Sequence, residues 1–215
     1  MTPLIVGLAI LGLAWGLVAD RIAARWPSHE DGSVRPIDWR TTVVPIVGAI
    51  ALGLLGRRFP DTGSTVVYGL VFVALVLLLA TDLDQRTLPD EVTLPLAGLA
   101  AIYGLTGLNP LIGHDVPGAM LPALAGAIII PTVFFVLSIP FGAGAFGLGD
   151  VKLLFGVGLL AGLGRTTLGV FFGVLVAGAV ILALLVSRRI GLKSFVPYGP
   201  FLIIGAFWAV LLQSA

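Results

Sequence analysis

The chain has 215 residues, of which 58% are apolar and 11% charged, and its formal net charge is +1. Soluble domains carry about 25% charged residues, so this composition cannot cover a globule with polar surface and requires lipid as part of its solvent. The small net charge gives no electrostatic footprint for nucleic acid, and the complete lack of cysteine excludes disulfides, thiolate metal sites and a cysteine nucleophile.

Charge-free intervals mark the predicted elements. Backbone groups in hydrocarbon must bond within their own segment, and these runs lack the alternation of a membrane-barrel strand, so they read as helices. The first run, 1–19, has neither the basic start nor the small-residue cleavage site of a signal peptide and reads as a membrane span. Residues 20–40 follow as a polar loop with Pro27 and Pro36, too short to be a domain of its own. Its acids Asp20, Glu30, Asp31 and Asp38 read as solvated, as do Asp61 and Asp115 in connections further on.

Runs 41–56 and 62–81 come next, then the polar segment 82–90 with Asp82, Asp84, Arg86, Pro89 and Asp90, then the run 92–113. The run 116–149 exceeds one span: 118–138 reads as helix, and 140–149, with Gly142, Gly144, Gly147 and Gly149, as irregular backbone. Runs 153–164, 166–187 and 194–215 complete a count of about eight. The fold class is therefore an all-α, polytopic transmembrane helical bundle forming a single membrane-embedded domain over 1–215, with no internal repeat.

Lys and Arg in the loops set the orientation. With the N-terminus outside, the inner loops carry Arg21, Arg25, Arg35, Arg40, Arg86, Lys152, Arg188, Arg189 and Lys193, against Arg57, Arg58 and Arg165 outside. This bias puts Asp82 and Asp150 on the same, cytoplasmic side. The helix from Val151 to Gly164 is about 21 Å long against a bilayer core of about 30 Å, whereas the run ending at Asp82 is about 30 Å long. Asp150 is accordingly expected to lie deeper than Asp82.

Acids at membrane depth are costly and ask for a reason. Each of Asp82 and Asp150 taken alone fits a helix cap. Taken together they fit hydrolysis: two carboxylates sharing one proton activate water and protonate the leaving group, with no metal or cofactor. Glycines before Asp150 permit the close backbone approach that a bound extended peptide needs. His29 and His114 are too far apart in sequence to suggest a ligand pair.

Asp82 with Leu88-Pro89-Asp90 resembles the first aspartate motif of bacterial prepilin peptidases, the type IV leader peptidases. Gly147-Leu148-Gly149-Asp150-Val151-Lys152 resembles the Gly-x-Gly-Asp motif of the wider class of intramembrane aspartyl proteases, 68 positions later. Pro197-Tyr198-Gly199-Pro200-Phe201 is similar to the Pro-Phe-Gly-Pro-Phe element of the last span. Gly16-Leu17-Val18-Ala19-Asp20 stands where the family's first span ends in Gly-Ser-Phe-Leu-Asn. The resemblance implies Asp82 and Asp150 as catalytic pair, with Gly147, Gly149, Lys152 and Pro89 in support. Asp84 is a supporting or merely solvated acid.

The implied substrates are precursors of type IV pilins or pseudopilins, cut at their short basic leader on the cytoplasmic face of the bacterial inner membrane. Many members carry a cysteine-bearing methyltransferase domain where this chain has only 20–40, so peptidase activity without N-methyl transfer is expected. An ion-coupled transporter and a non-catalytic subunit of a pilus or secretion machine are the alternatives. The sequence is silent on oligomeric state.

Overall fold

The computed structural model describes residues 2–29, 32–141, 147–191 and 198–212. Glu30, Asp31, Gly142, Gly144, Lys193 and Pro197, all used in the sequence reading, lie outside the described residues. Seven α-helices make up the described chain: α1 (Thr2–Ala23), α2 (Arg40–Arg58), α3 (Thr62–Gln85), α4 (Asp90–Leu105), α5 (Val116–Ser138), α6 (Leu148–Val186) and α7 (Gly199–Leu211), with one 3₁₀ turn after α5 (Ile139–Phe141). No strand occurs among the described residues.

Five helices, α1, α2, α3, α5 and α6, are long and apolar enough to cross a membrane; α7 is apolar but shorter. The count of eight spans read from the sequence is not confirmed by these five. The two runs expected on either side of Arg165 are both helical and lie within α6. That helix is broken in its backbone at Gly162, where φ is 73° and ψ is 173°. The Thr166 hydroxyl reaches the Val157 carbonyl at 3.3 Å, although nine residues of straight helix span about 13 Å. The chain thus folds back at Gly162 into two limbs. Glycine is the residue that adopts such a backbone without a Cβ penalty.

The break frees carbonyls that must be satisfied. Asn109, fully buried, donates to the Leu160 carbonyl at 2.8 Å, and its own Oδ1 accepts from the Tyr68 hydroxyl at 2.6 Å and the Leu111 N–H at 2.9 Å. Asn109 is a polar residue inside an apolar run because it seals the end of the first limb.

In lipid, apolarity does not separate inside from outside, and helices associate through small residues and close packing. A Cβ built on Gly48 would lie 2.5 Å from the Gly12 carbonyl oxygen, and one on Gly16 would strike the Pro45 backbone, so α1 lies directly on α2. Gly126 meets the Gly162–Leu163 backbone in the same way and joins α5 to α6. α5 and α7 both pack on α6, and α3 touches α1, α2, α4 and α7. Large apolar side chains such as Ile10, Leu13, Ile128, Leu168 and Phe171 face outward as a lipid-contacting surface. Two elements are enclosed instead. α3 buries Tyr68, Phe72, Leu75, Leu78 and Leu79, and the first limb of α6 buries nearly every residue from Leu153 to Gly162.

Candidate active site

The C-terminal end of α3, which bears Asp82, and the N-terminal end of α6, which bears Asp150, lie at the same end of the bundle and are linked through the turn after α3 and through α4. Asp82 is 5% exposed, and its Oδ2 is buried with no hydrogen-bond partner. The carboxyl groups are close enough for the charge of Asp150 to act on Asp82, as does the opposite charge of Arg86. α3 ends when Arg86 turns left-handed at φ 56°, its N–H bonded to the Asp82 carbonyl at 2.9 Å. A non-glycine residue there carries local strain. The turn directs buried Leu88 and Pro89 back under α6.

The supporting residues have visible work. Gly149 sits on Leu88: a Cβ at 149 would lie 2.9 Å from Leu88 Cβ, so this glycine lets α6 begin against the segment that follows Asp82. Pro89 precedes α4, and its carbonyl accepts from the Val92 and Thr93 N–H groups and the Thr93 hydroxyl. Gly147 donates its N–H to Asp150 Oδ2 at 3.2 Å, so the helix-cap role weighed for Asp150 is present alongside its nearness to Asp82. Lys152 holds both oxygens of Asp90 at 2.6 Å and ties α6 to α4.

Two expectations are corrected here. Asp84 is not solvated. Its side chain is 2% exposed and pairs with Arg35 Nε at 2.7 Å, His29 Nε2 at 3.2 Å and Arg40 Nη1 at 3.7 Å. Nor do Asp20 and Asp38 form a solvated loop face. Asp20 is fully buried and bound by Arg21 at 2.5 Å, by the Thr41 hydroxyl at 2.8 Å and by Arg35; Arg35 also holds Asp38 at 2.5 Å. Gln85 adds a bond to the Pro27 carbonyl at 2.6 Å. The segment after α1 is thus clamped onto the end of α3, through pairs too distant in sequence for spacing to reveal. By protein alone, Asp82 is buried and Asp150 partly buried.

The loop charges respond to this clamp. Burial pushes the Asp38 carboxyl up, but the Arg40 backbone N–H and the Arg35 and Arg40 guanidinium groups outweigh it and hold it below the ordinary carboxylate range. Burial opposes the Arg35 charge, yet Asp20, Asp84 and Asp38 raise its pKa further. Gly199 is the residue of this end whose contact the sequence did not reveal: it abuts the Asp82 carboxyl directly. Among the described residues no group of three or more His, Cys, Asp or Glu is arranged to hold a metal ion. Surface grooves of about 570 Å³ beside Arg21, Arg25 and Trp26, and about 450 Å³ between α5 and the second limb of α6, contain no acidic lining residue.

Fold and site together describe a multi-pass helical membrane protein with a buried Asp82 and a partly buried Asp150 at one end of its bundle. The chain belongs to the type IV leader peptidase family, whose model matches residues 69–183, an interval that contains both Asp82 and Asp150. It is similar to the prepilin leader peptidase/N-methyltransferase of Aeromonas salmonicida (strain A449), at 30% identity over 209 residues, covering 97% of this chain and 65% of the relative. The protein of the same name from Aeromonas hydrophila is 29% identical over 180 residues, covering 84% and 61%. The Pseudomonas aeruginosa protein of that name is 27% identical over 223 residues, covering 92% and 73%. The chain spans less than two thirds of the length of the Aeromonas relatives. No solved structure matches it.

Proposed function

We propose that this protein is a membrane aspartyl endopeptidase that removes the short basic leader from type IV prepilins or pseudopilins. Asp82 and Asp150 form its catalytic pair. The observation that carries the reading is that Asp82, buried with its Oδ2 unpartnered, lies at the same end of the bundle as Asp150, 68 positions away, and within range of its charge. Family membership favours it over the ion-coupled transporter.

In the proposed reaction the two carboxyl groups approach a common water and share one proton. The ionised member accepts a proton from water as the water oxygen attacks the scissile carbonyl carbon. The protonated member donates to the carbonyl oxygen, and collapse of the tetrahedral species breaks the C–N bond as a proton passes to the leaving amine. One water is consumed, and one carboxyl and one amine appear. Enclosure by protein strengthens these charge effects over their value in water.

The excess of Lys and Arg on the loops flanking this end supports a cytoplasmic-facing site in a bacterial inner membrane, with the N-terminus outside. Segment 20–40 is short, cysteine-free and partly occupied by ion pairs, which supports leader removal without N-methyl transfer. The test is co-expression with a prepilin. The expected product is a mature pilin of unmethylated mass, and a precursor that stays uncut in the presence of inserted protein would contradict the proposal.

A further inference from the structure

Gly199 opens α7, and a Cβ built there would fall inside the Asp82 carboxyl group, 2.5 Å from Cγ, 2.6 Å from Oδ1 and still closer to Oδ2. Other described glycines whose Cβ would meet an acidic side chain, at 63, 118 and 147, meet one within three positions of themselves. Gly199 meets one from a different helix. Asp82 has nowhere to retreat without cost, since it is 5% exposed and its Oδ2 is buried and unpaired.

α7 has nowhere to retreat either. A Cβ on Gly205 would lie 2.5 Å from the Gly169 carbonyl oxygen, and Gly173 of α6 lies directly on the Phe201 carbonyl. Phe207 packs edge-on against Phe72 of α3 with ring centroids 4.9 Å apart. Arg165 donates to the Leu212 carbonyl at the far end of α7. A helix fixed along its length against α6 and α3 does not yield to one methyl group; the carboxyl that the methyl strikes does.

We infer that Gly199 is a positioning residue of the hydrolytic site, the bare backbone wall against which α7 seats the Asp82 carboxyl for its partnership with Asp150. The inference rests on the proposed catalytic role of Asp82. A side chain at 199 turns that carboxyl away from Asp150, and small displacements of a catalytic group cost about 10²-fold in rate.

The experiment compares wild type, Gly199→Ala, Gly205→Ala and Asp82→Ala purified in detergent, with rates expressed per folded enzyme on a prepilin peptide. Gly199→Ala is expected to lose about 100-fold in kcat with KM within a few fold, and to displace a limb of the pH–rate profile. Gly205→Ala, a packing control remote from the acid, is expected to lower the thermal midpoint and leave the profile of the folded fraction in place. Adding Gly199→Ala to Asp82→Ala is expected to leave the thermal midpoint unchanged, because the carboxyl that it would strike is gone. Wild-type kcat and pH profile in Gly199→Ala would overturn the inference. So would a loss of thermal midpoint equal in the wild-type and Asp82→Ala backgrounds, which remains readable even if Gly199→Ala folds poorly. Cleavage by Asp82→Ala would instead reject the catalytic role of Asp82, a failure distinct from that of the contact.

Discussion

Asp82 and Asp84 stand two positions apart on one helix and do different things. Two helical steps rotate a side chain by about 200°, so Asp82 faces Gly199 and Asp150 while Asp84 faces the arginines of the segment after α1. Replacing Asp84 by Asn leaves Arg35 buried with less compensation. Breaking a buried pair costs about 3–5 kcal/mol, so Asp84→Asn should lower the thermal midpoint markedly while the folded remainder keeps its kcat; a loss of kcat at unchanged stability would contradict this. Asp38 adds a pH dependence. Its carboxyl is held below the ordinary range when folded, so its contribution is present above the unfolded value of about 4 and disappears as pH falls through the lowered one. Proteolytic cutting after Arg25 should stay flat from about pH 7 to pH 5 and rise below about pH 4; a rise already near pH 6 would assign the clamp to another group. Composition named the acids, but it said nothing of which ones are paired, because the Arg35–Asp84 pair joins a loop to a helix 49 positions away.

Charge-free runs predicted the helices well, since hydrocarbon forces the backbone of any apolar run into a helix. They located both limbs of α6 but separated them at Arg165, because a charge is visible in sequence and a backbone reversal is not. The turn lies at Gly162, in a stretch where glycines also serve close packing. An alanine at 162 must adopt a positive φ, at a cost of about 1–3 kcal/mol, and Asn109→Leu leaves the Leu160 carbonyl without its donor at a similar cost of about 1–3 kcal/mol. Thermal unfolding in detergent should register each change. Neither should move the pH profile of cleavage, since both lie at the end of the bundle opposite Asp82 and Asp150. Boundaries at the site were less legible: the glycine motif before Asp150 was readable as a special backbone, but its purpose, letting α6 start on Leu88, required the fold.

Across the whole molecule, the chain sets its two enclosed helices at the centre and surrounds them with elements joined by glycine contacts. The ends that bear Asp82, Asp150, Asp84, Asp90 and Gly199 gather on one side. Because the chain has no cysteine, single cysteines report topology without a background signal. Arg25→Cys and Arg188→Cys should react with an impermeant maleimide only from the cytoplasmic side, and Arg57→Cys only from the other; the reverse pattern would invert the proposed orientation. The most direct test of the central claim is prepilin cleavage by the reconstituted protein carrying Asp82→Asn or Asp150→Asn. Each substitution alone should abolish leader removal while insertion and thermal midpoint are retained, and leader removal at wild-type rate by either variant would contradict the assignment of these two carboxyl groups to the chemistry.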